Sequence, residues 1–367
     1  MTERLEEALR AVGDEYLRRN PADLHRARAR IHRLRRRNQM KTGALTALGA
    51  AAIIAVAVVA WPGTSDVGPE RPRPAAPADL PRGAVPIEVG DGPVEVAVGD
   101  GAIWVSNVDD STISRIDSTT NEVTLSVNLS GAPGDLAVGR GGEVWIASRD
   151  LGMVQRIDGV TTTTTPDLRV DVGPADTSID LAIDDYLWVA AVERELLQVD
   201  PATGDIVRRI DYVRPVNVAA KGGNVFVLEA DGTVRGIDQL TGEPTAIELR
   251  FDLSGRGDIH YYDGVLWVAE GDGSTLYSVD LAQASQRIRS YPFRGTYVEM
   301  VEVDAGILVL SDLGDDTGVL SLVDAGTGET TELIEIPGAP GDLVRGLDDL
   351  WVSIPSDDAV LRLPSLP

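Results

Sequence analysis

Seven residues of this chain, Glu95, Asp135, Asp180, Asn217, Asp258, Glu299 and Asp342, occupy the same place in a phrase that recurs along the sequence. Six offer a carboxylate and one an amide oxygen. Gathered at one point, such oxygens suit a hard cation: Ca²⁺ takes roughly six to eight oxygen ligands, and Mg²⁺ also prefers oxygen. Held a little apart, they focus a negative field that draws a cationic ligand. A plainer reading needs no ligand. An Asp or Asn where a turn enters a strand accepts hydrogen bonds from nearby backbone N–H groups, and a repeat copies that device in every unit.

Few other side chains can do chemistry. The chain has no cysteine, which excludes disulfides, thiolate metal sites, a thiol nucleophile and a lipidated cysteine anchor. Its histidines are His25, His32 and His260, too few for a His-rich metal site. His260 follows Asp258 by two residues and is the only histidine in the repeats, so it is the one group there with an ordinary pKa near neutrality. That makes it the only candidate general base, with Glu270 the nearest Glu of its repeat. Without a paired acid in sequence, His260 reads as a strand residue satisfied by packing. The acidic stretches NVDDST (107–112), EGDGST (270–275), DLGDDTG (312–318) and PSDDA (355–359) look a little like calcium loops but lack EF-hand spacing. As solvated turns they need no cation.

The elements that must carry the seven residues are written in the repeat itself. GPVEVAVGDGAIWVSN (92–107) and APGDLAVGRGGEVWIAS (132–148) are two copies, and the hexapeptide GAPGDL occurs at both 131–136 and 338–343. An aromatic slot follows each acid: Trp104, Trp145, Trp188, Phe226, Trp267, then Val309 in place of an aromatic, then Trp351. Successive slots are 41, 43, 38, 41, 42 and 42 residues apart, the period of propeller blades. Each unit reads as four short alternating strands joined by tight turns, with no helical period. The expected fold is therefore all-β, a seven-bladed β-propeller over residues 84–367. The last unit lacks a fourth strand, while AVPIEV (84–89) precedes the first unit unclaimed. That segment is expected to close the ring as the outer strand of the last blade, which removes an exposed edge.

The phrase GPxxxAVGxGxxWVxN followed by RIDxxTxxV resembles the repeat of YVTN-type and streptogramin-lyase-like (NHL-like) β-propellers. QVDPATGDIV (198–207), GIDQLTGEP (236–244) and LVDAGTGET (322–330) are similar to the strand ending and turn of the same repeats. The resemblance implies the propeller fold and says little about activity, since such folds host many functions. Streptogramin lyases of this architecture use a histidine with magnesium-binding glutamates. Their histidine is expected in the loop before an inner strand, where this chain has Arg256-Gly257.

Ahead of the repeats the chain changes character. Residues 1–41 carry twelve Lys and Arg against six Asp and Glu, a net of +6, out of totals of 33 and 58. The remainder carries 21 basic and 52 acidic residues, a net of −31. Residues 42–62 are uncharged and long enough to cross a bilayer as a helix, with Trp61 at the interface. The flank from Arg26 to Lys41 holds eight basic residues and no acid, so the positive-inside rule places the N-terminus in the cytoplasm. Residues 63–83 are Pro-rich and read as a semi-rigid stalk. The expected protein is a single-pass membrane protein of a bacterium with an extracytoplasmic propeller. Helical spacing in residues 1–41 points to anionic lipid or a cytoplasmic protein as partner. The acidic propeller is a poor surface for nucleic acid.

The expected function is a non-enzymatic ligand- or protein-binding or sensor module, with no cofactor required beyond a Ca²⁺ or Mg²⁺ the acidic set would suit. The alternative is a propeller enzyme of lyase or hydrolase type using a divalent metal.

Overall fold

The computed structural model describes residues 80–364, apart from 159–163, 176, 193, 254–256 and 284–285. These residues form twenty-eight strands in seven four-stranded antiparallel sheets. The seven inner strands are Pro93–Gly99, Pro133–Val138, Ile179–Ile183, Pro215–Lys221, Gly257–Tyr262, Thr296–Val303 and Asp342–Gly346, and they define blades 1 to 7 in that order.

Burial within a blade follows from its place between two neighbours. The second strand of blade 1, Ala102–Asn107, is buried at every residue, because both of its faces pack on other sheets. A continuous apolar run is what such a strand needs. The outermost strand, Glu122–Asn128, is mostly exposed and keeps polar residues. The hairpin between the first two strands turns on Asp100 and Gly101, with φ of 50° and 69°. Asp tolerates that left-handed region and Gly has no Cβ to oppose it.

The aromatic slots fill the seams. Trp104 packs with Leu136, Val144 and Ile146 of blade 2, and Trp351 with Val96, Ile103 and Val105 of blade 1. Losing a buried aromatic of this size costs about 3–5 kcal/mol. The guanidinium groups of Arg115, Arg156 and Arg362 lie 5.9, 5.8 and 5.1 Å from the rings of Trp104, Trp145 and Trp351. From there Arg156 donates to the carbonyl of Pro201 in blade 3 and Arg362 to that of Ser118 in blade 1.

Ring closure is as the repeat count requires. Val85–Glu88 pairs antiparallel with the strand Ala359–Pro364 as the fourth strand of blade 7, in the register Val85↔Arg362 to Glu88↔Ala359. Ile87 is buried there. Among the described residues no helix is long and apolar enough to cross a membrane. The segments expected in the cytoplasm (1–41) and in the bilayer (42–62), and most of the stalk (63–83), lie outside the described residues.

Candidate functional site

Each of the seven acid or amide residues lies at or near the start of its inner strand, and most are turned toward the next blade. Asp342 of blade 7 accepts from the N–H of Leu343 in its own strand and from the N–H of Val96 in blade 1, both at 2.7 Å. Asp135 accepts from Leu136 at 2.7 Å and from Leu181 of blade 3 at 2.5 Å. Asp180 takes the N–H of Val218 in blade 4 at 2.8 Å and the Asn217 amide at 3.1 Å. Asn217 accepts from Ile259 of blade 5 at 3.2 Å. At these four seams a side-chain oxygen therefore satisfies a backbone donor of the neighbouring sheet, as buried N–H groups require.

Between blades 5 and 6 the pattern changes. The N–H of Met300, which matches Val96, Leu181 and Val218, donates to Glu299 of its own blade at 2.7 Å. Asp258 instead accepts from the Tyr297 hydroxyl and, at 3.0 Å, from His260 Nε2. The same Nε2 lies 2.9 Å from Glu299 Oε1. His260 Nδ1 is 2.8 Å from the Tyr262 hydroxyl. Side-chain exposures of 24, 18 and 20% for His260, Asp258 and Glu299 leave the trio within reach of channel solvent.

Electrostatics ties the set together. Burial pushes Asp135 up to about 7, with Leu181 and Leu136 pulling it down and the charges of Glu299 and Asp258 adding to the rise. Burial also holds Asp180 and Asp342 well above the usual carboxylate range; Asp135, Asp258 and Glu95 reinforce the first, Glu95 and Glu299 the second. Carboxylates from six blades thus share one electrostatic environment. Glu299 is raised by burial and by Asp258 against the pull of His260. Asp258 is the exception. Burial alone would raise it, but His260, the Tyr297 hydroxyl and the Ile259 N–H together hold it below its usual value. Burial would lower His260, yet Tyr262, Asp258 and Glu299 keep it well above the usual imidazole range.

One ligand atom each from Asp258, His260 and Glu299 fall within 4.8 Å of one another, the only such trio among the described residues. A hard cation of the Ca²⁺ or Mg²⁺ kind prefers an all-oxygen set. Here an imidazole N–H already stands between the two carboxylates and supplies the positive charge. The oxygens of Asp135, Asp180 and Asp342 are engaged by N–H donors. We therefore read the trio as an internal ion pair rather than as metal ligands. In the acidic hairpins, Asp110 accepts from Thr112 and from the Asp91 N–H, and Asp312 from the Gly314 N–H, contacts that shape turns.

The fold gives His260 two carboxylate partners, Asp258 and, from the next blade, Glu299. Tyr262 and Tyr297 were missed. The repeat alignment holds a signal for Tyr297, as it does for His260. Two residues after the acid, four blades have Ala97, Ala137, Ala182 and Ala219 where blade 5 has His260. Two residues before it, four blades have Pro93, Pro133, Pro215 and Pro340 where blade 6 has Tyr297.

Fold and site define a seven-bladed β-propeller with carboxylates gathered around its inner strands. No protein-family model matches the chain, and no curated protein sequence does. Solved structures do. The virginiamycin B lyase of Staphylococcus aureus is similar over 77% of this chain and 99% of its own, at 15% identity and a TM-score of 0.63. A streptogramin B lyase is similar over 76% and 96%, at 13% identity and 0.61. BamB of Moraxella catarrhalis is similar over 76% and 98%, at 15% identity and 0.57. At such identities the likeness is one of fold, and it is the fold that the repeat resemblance implied.

Proposed function

We propose that the chain is a single-pass membrane protein, N-terminus inside, whose extracytoplasmic propeller is a non-enzymatic module that binds a cationic ligand at its acidic inner rim. One observation carries the ligand reading: Asp135, Asp180, Glu299 and Asp342 are all held above their ordinary pKa by burial and by one another's charge. A cation placed among them relieves that repulsion, and its binding energy comes from doing so. The apolar run at 42–62 and the basic flank before it support the topology.

Calorimetric titration of the full-length protein with spermine, an Arg-rich peptide, Ca²⁺ and Mg²⁺ at pH 8 tests the ligand reading. The organic cations should bind, with affinity falling as salt rises, and Asp135→Asn with Asp180→Asn should weaken them by roughly tenfold, about 1.4 kcal/mol. Heat from a metal alone would assign the rim to a cation site. Flat titrations throughout would reject binding. For topology, protease added to intact cells should remove the propeller and spare residues 1–41.

The second reading is an enzyme of lyase type, favoured by the placement of His260 between two carboxylates and by the two lyases among the similar folds. A general base must be free of its proton near neutral pH. His260 is held protonated, so the binding reading stands first.

A further inference from the structure

The seam between blades 5 and 6 is built unlike four others of the ring. At 7/1, 2/3, 3/4 and 4/5 an Asp or Asn oxygen of one blade holds a backbone N–H of the next. A backbone N–H does not titrate, so the donor side of those links persists at every pH of interest. At 5/6 that N–H is spent within blade 6, as those of Leu136 and Leu343 are within blades 2 and 7; what sets 5/6 apart is the set of side chains that crosses it. The groups that cross are Tyr297, which donates to Asp258, and His260, which reaches Glu299.

We propose that this seam is a proton-dependent clasp, in which the His260 imidazolium holds Asp258 of blade 5 to Glu299 of blade 6 and its deprotonation loosens this seam alone. In the charged form Nε2–H lies between two carboxylates while Nδ1–H donates to the Tyr262 hydroxyl. Once the proton leaves Nδ1, the Tyr262 hydroxyl donates to that nitrogen. Nε2–H remains, but Asp258 and Glu299 then face each other with one more uncompensated negative charge between them. Like charges this close repel strongly away from bulk water.

Every charged or titratable group facing the clasp bears on it. On the inner strand of blade 5 these are Asp258 and Tyr262; on that of blade 6, Tyr297 and Glu299. From blade 4, the Lys221 ammonium sits 4.5 Å from the centre of the Tyr262 ring and is paired with Glu302 of blade 6. Asp135 and Asp180 share their fields with Asp258. Against the pull of burial, Tyr262, Asp258 and Glu299 keep the imidazole protonated above the usual range. The clasp therefore closes at neutral pH and opens on the alkaline side. It needs no ligand, so it stands whether or not the rim binds one.

Hydrogen exchange of the full-length protein, corrected for the intrinsic pH dependence of exchange, reads the clasp directly. Between pH 6 and pH 9.5, protection of Gly257–Tyr262 and Thr296–Val303 should fall by about tenfold or more, while that of the buried second strands Ala102–Asn107 and Leu187–Ala191, which carry none of the raised acids, changes little. In H260Q the blade 5 and 6 strands should be weakly protected at both pH values, without the step. Should H260Q fail to fold, the wild-type imidazole signal of His260, one of only three in the chain, should titrate within the same interval as the loss of protection. A uniform response of all four strands overturns the clasp. So does a step that survives in H260Q, or a His260 that titrates at or below the ordinary imidazole value.

Discussion

Two arcs of the same ring hold their seams by different means. From blade 7 to blade 1 and from blade 2 to blade 5, an acid or amide on an inner strand accepts a backbone N–H of the next sheet. From blade 5 to blade 6, side chains meet side chains: Tyr297 with Asp258, His260 with Glu299. The repeat supplies an acid at the same place in both arcs, so the difference does not arise from the acid. It arises from what stands two residues away. Ala137 and Ala182 follow the stapling acids Asp135 and Asp180, whereas His260 follows Asp258 and pairs with it. The lesson is that a repeated residue keeps its position but not its role, because its role is set by neighbours the repeat does not copy.

The largest test removes what both arcs depend on. Deleting 84–89 strips the four-pair ladder with Ala359–Arg362 and uncovers Ile87. Four backbone hydrogen bonds and one buried Ile amount to roughly 5 kcal/mol, or about 10 °C in melting temperature for a domain of this size. Calorimetry of the full chain checks this, and an unchanged melting point would show that the ring does not rely on its closing strand.

A smaller loss isolates one backbone staple. Asp342→Ala leaves the Val96 N–H without its acceptor at the seam between blades 7 and 1, which should cost about 1–3 kcal/mol in urea unfolding at pH 5. At pH 8 the cost should shrink, because Ala also removes a carboxyl that burial holds well above its usual value. An equal cost at both pH values would mean that the carboxyl is not strained.

Next comes the pH profile of the wild type. In the fold, burial pushes Asp135 from its ordinary 3.8 up to about 7. Its proton is bound more tightly folded than unfolded, so its contribution to stability is complete below 3.8 and is lost as pH rises through about 7. Asp180, Glu299, Asp342 and His260 are raised too and act with the same sign. Asp258 is lowered, so its contribution is present above its ordinary value and lost below it. Melting temperature should thus be higher near pH 5 than near pH 8. A rise toward pH 8 would show that these groups are not held above their ordinary values in the fold.

The smallest effect belongs to Lys221. It spans from blade 4 to Glu302 of blade 6 at 3.4 Å, but its side chain is 57% exposed. Exposed pairs contribute under about 1 kcal/mol, so Lys221→Met should barely shift unfolding. A larger loss would reveal that the far end of the inner strands is braced as firmly as the rim.

Most of the fold was legible in the chain because its causes are local and repeated. Alternating strands, Gly and Asp turns and a recurring Trp are each read within one unit, and their count sets the number of blades. The unclaimed segment 84–89 could be placed by subtraction. The site was legible only in outline. Equivalent positions marked Glu95, Asp135, Asp180, Asn217, Asp258, Glu299 and Asp342, yet the acid itself does not say whether it staples a backbone of the next blade or pairs with a side chain there.

By itself, then, the sequence determined a ring of seven four-stranded sheets, its closing strand and an acid or amide at the same point in every blade. The sheets and the acid follow from periodicity and hydrogen-bonding demands within about forty residues, and the closing strand from the count of strands. Tertiary structure decided which blade each carboxylate serves, that His260 meets Glu299 of the next blade, and that burial raises four acids while His260 and hydrogen bonds hold Asp258 low. Those outcomes depend on distances between neighbouring blades. Residues 39 apart, such as Asp258 and Tyr297, become partners only once the ring has closed.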